Sequence, residues 1–304
     1  MNQSQSYISG LDIQSDYLTI AQYSPEEHAV MLVAIQPLSV SDGNGASGAV
    51  SNELSLLKNK FKFSAAGINC ALPCEHAIIK KIPVDHGEKD IDGALRWELE
   101  QHIIGIVDDY VFDYQQCGTA AAGSTLNDYL VVAYRKKKIE NLRQLLKHSK
   151  LTLNIVDLDI FALINVFEIN YPEYIEQPAI IVHGEGEKAT LLLTHQSGYI
   201  DHEVIEYPFG VDPQVFSGQL KTAAERLVLF ANLSGGLTGI PVFVTGSIFS
   251  HEGFLVSAGS FLGDVSMLQP FRKVGCRIGA DDEQLAAYIA QLGVAVGLAV
   301  RGND

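Results

Sequence analysis

Two short turns carry the residues of this chain best suited to chemistry. The first holds Asp12, Gln14 and Ser15 in GLDIQSDYL; the second holds His183, Gly184, Glu185 and Gly186 in IVHGEGEKA. Glycines let backbone N–H groups come close to an anion, and a carboxylate can orient a metal ion or its waters. Each feature also has a plainer reading. An aspartate that caps a turn is commoner than one that orients a metal, and Gly184 with Gly186 can simply close a tight hairpin. His183 beside Glu185 and Glu187 has the residue types of a metal site. A lone histidine at a strand end next to solvent-facing glutamates is commoner, and no second histidine stands at ligand spacing.

The elements around these turns repeat. Residues 7–37 read strand, turn, strand, turn, strand, and residues 179–209 read the same way. The copies begin ~170 residues apart, which predicts two related α/β lobes with a cleft between them. Ligands usually sit in such clefts, so both turns are expected to line one. Between the copies the pattern predicts a helix over 52–61, strands over 65–72 and 76–82, and a helix over 90–104. Strands follow over 110–116 and 129–134, then a helix over 135–150, a strand over 153–158 and an apolar helix from Asp159. After the second copy come a helix over 212–232, a strand over 241–245 and a helix over 281–301 with a face of small residues. Residues 39–48 and 118–127 read as loops.

Composition narrows the function classes. The chain has 304 residues, 47% hydrophobic and 19% charged, enough for two domains and a sizeable core. A net charge of −15 argues against nucleic acid or anionic lipid as the main partner. The N-terminal residues show no signal-peptide pattern, and the longest apolar run, 292–300, is far short of the ~20 residues of a spanning helix. Cys70, Cys74, Cys117 and Cys276 lack zinc spacing and read as scattered buried thiols in a reducing compartment.

Several stretches together resemble the PilM family of type IV pilus assembly proteins, which is related to the cell-division protein FtsA. GLDIQSDYLTIAQY is similar to that family's first phosphate hairpin. LRWELEQHIIGIVDDYVFDYQ (95–115) looks like its signature helix-to-strand segment, VDLDIFALINVF (156–167) like its connecting helix, and LQPFRKV with LGVAVGLAVRG like its C-terminal region. The resemblance implies an α/β, actin-like (ribonuclease H-like) two-lobed fold with a small inserted α/β subdomain and a shortened second lobe. The first lobe would span 1–170, with the insertion at about 73–158. The second would span 171–304, with the helix 281–301 packing back on the first. It implies a cytoplasmic protein, peripheral at the inner membrane, that binds the short cytoplasmic tail of a PilN-like protein and self-associates into a ring. No direct membrane insertion is expected.

The resemblance also sets a standard for the cleft. The family's first hairpin has glycine where Gln14 stands. Its second has aspartate at the position of His183 and glycine at that of Glu185. On the adenosine side, VFVTGS keeps Gly246 but has Ser247 for the second glycine. A carboxylate at 185 would face triphosphate oxygens at short range and repel them. The expectation is a scaffold with a degenerate nucleotide cleft formed by Asp12, Gln14, Ser15, His183, Gly184, Glu185, Gly186, Gly246 and Ser247. It would be a pseudo-ATPase without catalytic residues, metal or cofactor. The alternatives are an active actin-fold ATPase that holds Mg-ATP, and the related cytoplasmic scaffold of type II secretion. The second lobe has room for one helix between 210 and 245, and Ile103-Ile104 replaces the family's Ile-Pro.

The remaining motifs carry less. His202-Glu203 and His251-Glu252 are not HExxH, no G-x-S-x-G occurs, and Ser234–Gly239 lacks the Lys-Ser/Thr of a phosphate loop. Arg135, Lys136, Lys137 and Lys138 open a helix against its dipole, which fits either a solvated face or an acidic partner. Trp97, the single tryptophan, lies off the centre of the Leu95/Leu99 stripe. Core packing beneath the insertion is its default reading, and an anchor for a partner peptide the sharper one.

Overall fold

A computed structural model describes residues 7–38, 46–60, 67–119, 125–196, 198–277 and 288–301. The chain divides into two compact units, one of residues 1–72 and 146–304, the other of Pro73–Leu145. The first unit holds two sheets built on the same plan. In one, β1 (Ile8–Ile13), β2 (Tyr17–Ser24) and β3 (Ala29–Pro37) form an antiparallel meander. Parallel strands β4 (Ile68–Leu72) and β8 (Leu153–Leu158) extend it beyond β1, and β14 (Gly275–Cys276) sits outside β3. In the other, β9 (Ala179–Glu185), β10 (Lys188–His195) and β11 (Gly198–Glu206) form the meander, with β12 (Val242–Thr245) and β13 (Val265–Met267) added in parallel beyond β9. The orders β3-β2-β1-β4-β8 and β11-β10-β9-β12-β13 are the same, so the sequence repeat is a repeat of topology.

The central strands are apolar because both of their faces are covered. Leu11, Leu18 and Ile20 are buried in the first sheet, and Ile180, Ile181, Val182, Leu191, Leu192 and Leu193 in the second. The helix α4 (Asp159–Asn170) is apolar nearly all round, and its neighbour α7 (Gly293–Val300) is built of small and β-branched residues. α7 packs on β1, β2 and β4 and against α4. Small size is required there: a Cβ on Gly297 would lie 1.8 Å from the Ala162 carbonyl oxygen. From the end of α4, Phe167 and Tyr171 meet Phe243 of β12 with ring centroids 5.0 and 4.6 Å apart, tying this helix to the second sheet. The opposite face of that sheet is covered by α5 (Pro213–Phe230) and α6 (Glu252–Leu262). Asp212 starts α5 by accepting from the backbone N–H groups of Gln214 and Val215, with Pro213 at the first helical position.

The second unit is a three-stranded antiparallel sheet, β5 (Ile78–Asp85), β7 (Leu126–Arg135) and β6 (Tyr110–Thr119), in the order β5-β7-β6. Leu95 and Leu99 of α2 (Ile91–Glu100) bury themselves against Ile82, Val84, Tyr129, Val131 and Ala133. Asp90 caps α2 by accepting from the Gly93 N–H at 3.0 Å. α3 (Lys136–His148) follows β7 in the chain and precedes β8, and α1 (Ala46–Lys60) lies between β3 and β4.

Four expectations are corrected. The second unit ends at Leu145, not 158, because β8 belongs to the first sheet, where it pairs with β4 through Cys70↔Val156 and Leu72↔Leu158. The stretch read as a loop over 39–48 is already helical at Ala46. α6 was not foreseen, since GFLVSAGSFL carries no clear helical stripe. Cys117 and Cys276 are exposed; only Cys70 and Cys74 are buried. Of the helix expected over 281–301, residues 281–287 lie outside the described residues, and the remainder is a 3-10 turn, Ile289–Gln291, followed by α7. Among the described residues, no helix is long and apolar enough to cross a membrane.

Candidate functional site

The equivalent turns of the two lobes face each other. A Cβ on Gly186 would lie 3.7 Å from the Ser15 hydroxyl. The first turn is closed by the Gln14 N–H, which donates to the Tyr17 carbonyl at 2.9 Å. Just before it, at the end of β1, Asp12 is buried, and the Gln14 side-chain amide donates to its two carboxylate oxygens at 3.1 and 3.0 Å. Burial pushes the Asp12 carboxyl up to about 6, although the bonds from Gln14 and from the Ile13 N–H pull it down. The second turn is a two-residue hairpin between Glu185 and Lys188, with Gly186 at φ 59.

Glu185 makes a further link between the lobes. Its Oε1 accepts from the Ser247 backbone N–H at 2.8 Å, and its Oε2 from the Ser247 hydroxyl at 2.6 Å. The Tyr17 hydroxyl, from β2 of the first lobe, also donates to Oε1. Desolvation raises the Glu185 carboxyl to about 7, the charge of Asp12 adds to the rise, and the bonds from Ser247 and Tyr17 oppose it. Burial, with the charges of Glu185 and Asp12, keeps the Tyr17 phenol protonated far above its ordinary range.

Gly246 makes this arrangement possible. Its φ is 101, and a Cβ there would come within 2.2 Å of the Gly184 carbonyl oxygen, so the end of β12 can cross β9 only at a glycine. The Ala290 carbonyl holds this crossing from the other side, accepting from the Gly246 N–H at 2.5 Å and from the Thr245 hydroxyl at 2.7 Å.

The turns and the 246–247 segment therefore bring Asp12, Gln14, Gly184, Glu185, Gly186, Gly246 and Ser247 together. Ser15 is at the same place, but its hydroxyl donates to Asp16 at 3.4 Å. His183 differs: it is buried beneath the turn with neither ring nitrogen partnered among the described residues, and burial lowers its pKa to about 4. The metal reading of His183, Glu185 and Glu187 does not assemble, for Glu185 is held by Ser247 and Glu187 accepts from the Phe209 N–H at 3.1 Å. No group of three metal-ligating side chains occurs among the described residues. Tyr17 was missed from the sequence, because only the folded chain brings it to Glu185.

A triphosphate needs open N–H and O–H groups, yet the Ser247 N–H and hydroxyl, the Tyr17 hydroxyl and the Gln14 amide all serve carboxylates. In this arrangement those four groups are not open to a polyphosphate.

The second unit carries the other expected positions. The default reading of Trp97 is overturned: the residue is 65% exposed, on the side of α2 away from the Leu95/Leu99 core. Arg135, at the end of β7, lies over the Tyr110 ring at 5.2 Å, and Lys136 and Lys137 are exposed at the start of α3. Ser234–Gly239 is a run of turns. An open groove of about 530 Å³ runs between β11 and α5, lined by Glu203, Ile205, Val215, Thr222 and Arg226, remote in sequence from both turns.

Comparison with known proteins places this geometry in context. The family model described as type IV pilus assembly protein PilM matches residues 10–183, more than half of the chain. A solved PilM–PilN type IV pilus biogenesis complex contains a chain of the same fold, with TM-score 0.79 and 19% identity over 99% of each chain. The cytoplasmic domain of EpsL, an inner-membrane component of the type II secretion system of Vibrio cholerae, matches with TM-score 0.51 and 14% identity over 92% of each chain. The ethanolamine utilization protein EutJ of Carboxydothermus hydrogenoformans matches with TM-score 0.53 and 13% identity, over 98% of this chain and 90% of that one.

Proposed function

The chain belongs to the PilM family of type IV pilus assembly proteins, and from that premise we propose that it is a scaffold of a pilus assembly machine rather than an ATPase. It sits on the cytoplasmic face of the inner membrane and binds the cytoplasmic tail of a PilN-like membrane protein. Two observations support the parts of this reading. The family match, with a whole-chain likeness to a PilM solved with PilN, supports the partner. The Glu185 carboxylate, which takes up the Ser247 N–H and hydroxyl and the Tyr17 hydroxyl, supports a cleft that has lost nucleotide. The second observation is the one that favours a scaffold over an active member of the fold.

The contact with the partner is expected on the second unit, where Trp97 is exposed and Arg135, Lys136 and Lys137 form a basic run in an acidic protein. Self-association into a ring goes with the scaffold role. A secretion scaffold shares the fold, as the EpsL domain shows, but the family match favours the pilus context.

The test is calorimetric titration of the full chain with a synthetic peptide of the PilN-like protein's cytoplasmic tail from the same cell, alongside Mg-ATP. Saturable 1:1 peptide binding without nucleotide binding is expected. Binding of Mg-ATP with turnover, or binding of a type II secretion tail in place of the pilus tail, would overturn it.

A further inference from the structure

Three donors converge on one carboxylate where the two turns meet, and that carboxylate is the chain's own. The Ser247 N–H and hydroxyl reach the two oxygens of Glu185 at 2.8 and 2.6 Å, and the Tyr17 hydroxyl completes the set. Charge-assisted bonds from a backbone N–H and two hydroxyls are what a protein offers an oxyanion. The backbone is arranged for it: Gly246 lets β12 turn across Gly184 so that the Ser247 N–H points at residue 185. Glu185 and Ser247 lie in the second lobe and Tyr17 in the first, so the carboxylate is also a bridge. Tyr17 is itself buried, which leaves its hydroxyl little alternative to this acceptor.

We propose that the cleft is an oxyanion site whose permanent occupant is the Glu185 side chain, which bolts the two lobes together through Tyr17. An oxyanion from outside would meet the same three donors only if Glu185 left them. The bolt makes closure independent of any ligand, which suits a part that must keep one shape. This inference rests on the reading that the cleft has lost nucleotide.

The test uses the full chain as wild type, Glu185→Gly and Tyr17→Phe, with inorganic phosphate and Mg-ATP as probes. In thermal unfolding, wild type is expected to be unmoved by either probe. Glu185→Gly frees the donors and empties the place the side chain fills, so millimolar phosphate or Mg-ATP should raise its midpoint by a few degrees. Tyr17→Phe preserves the ring and the fold but cuts the bridge. Amide exchange in the two turns, residues 13–17 and 184–188, should then quicken by about tenfold or more. If Glu185→Gly stays silent to both probes, or if Tyr17→Phe leaves exchange in the turns unchanged, the bolt is refuted while the loss of nucleotide stands. A clear Mg-ATP shift in wild type would instead overturn the loss of nucleotide itself.

Discussion

Tyr17 and Glu185 are 168 residues apart in sequence, and the phenol of one donates a hydrogen bond to the carboxylate of the other. Tyr17 belongs to the hairpin of the first lobe and Glu185 to the equivalent hairpin of the second, so a pair of repeated turns is joined by residues that do not repeat. The position equivalent to Tyr17 in the second copy is Lys188, the first residue of β10, which reaches outward to Glu206 at 3.6 Å. The asymmetry is what makes one bridge rather than two.

The bridge should leave a mark on stability as a function of pH. Glu185 has its carboxyl raised to about 7 in the folded chain from an ordinary value of 4.5. Between those values the folded state holds a proton that the unfolded state has released, so stability falls as pH rises through this window and stays lowered above it. The full penalty is roughly 3 kcal/mol, at 1.36 kcal/mol per unit. Glu185→Gln removes the titration. Urea unfolding at pH 5 and pH 8 should show a smaller loss in the variant than in wild type, with Asp12, raised to about 6, leaving a residual slope of the same sign below pH 6. Equal pH dependence in both proteins would mean that Glu185 is not held in a desolvated place.

Gly246→Ala should be costly although it adds one methyl group. The residue has φ 101, and the new Cβ would sit 2.2 Å from the Gly184 carbonyl oxygen and 2.7 Å from its nitrogen. Neither strand can yield freely, because β12 pairs with β9 through Thr245↔His183. A loss of about 3 kcal/mol or more is expected from strain and clash together. Denaturant midpoints would check it, and a loss below about 1 kcal/mol would show that the crossing can relax.

How much of this could be seen in the sequence follows from the range of the interactions. The meanders are local: alternation and turn residues announced all six strands and put Asp12, Gln14 and Glu185 at equivalent turns. The identical sheet orders then followed from the repeat. Tyr17 gave no signal, because a tyrosine opening a strand is ordinary until the other lobe is placed beside it. α6 escaped because its apolar residues are spread round the helix, with Val256 exposed and Ala258 and Leu262 buried. The end of the insertion was misplaced because strand β8 looks alike whether it belongs to one sheet or another; only its pairing with β4 decides. Trp97 defied composition rather than pattern. Its off-stripe position was visible, but the preference of tryptophan for burial outweighed it.

Asn170 should be among the least replaceable polar residues. It is fully buried at the end of α4, where its amide nitrogen donates to the Val166 and Pro270 carbonyls at 2.9 and 3.0 Å. Its amide oxygen accepts from the Lys273 and Val274 N–H groups at 2.9 and 3.3 Å. One side chain thus satisfies four backbone groups and pins the loop before β14. Asn170→Leu would strand those groups away from water, at about 1–3 kcal/mol for each one that water cannot reach. A fall in melting temperature of several degrees is expected, with faster amide exchange over 270–276. A variant as stable as wild type would mean that the loop finds other partners.

Trp97 separates folding from recognition. With the residue 65% exposed and outside the Leu95/Leu99 core, Trp97→Ala should change stability by no more than about 0.5 kcal/mol. Anchors of extended peptides are enriched in tryptophan, and losing one commonly costs 2 kcal/mol or more, so the same variant should weaken binding of the PilN-like tail by at least about tenfold. Lys136→Glu with Lys137→Glu, both exposed at the start of α3, offers a contrast. If these charges steer an acidic partner, the double variant should slow association and flatten its dependence on salt, with little change in dissociation. Unfolding curves for both variants, paired with stopped-flow binding of the peptide, read all of these effects. Tail binding unchanged by Trp97→Ala in a folded protein would move the partner's contact elsewhere on the chain, and a large loss of stability would return the tryptophan to a packing role.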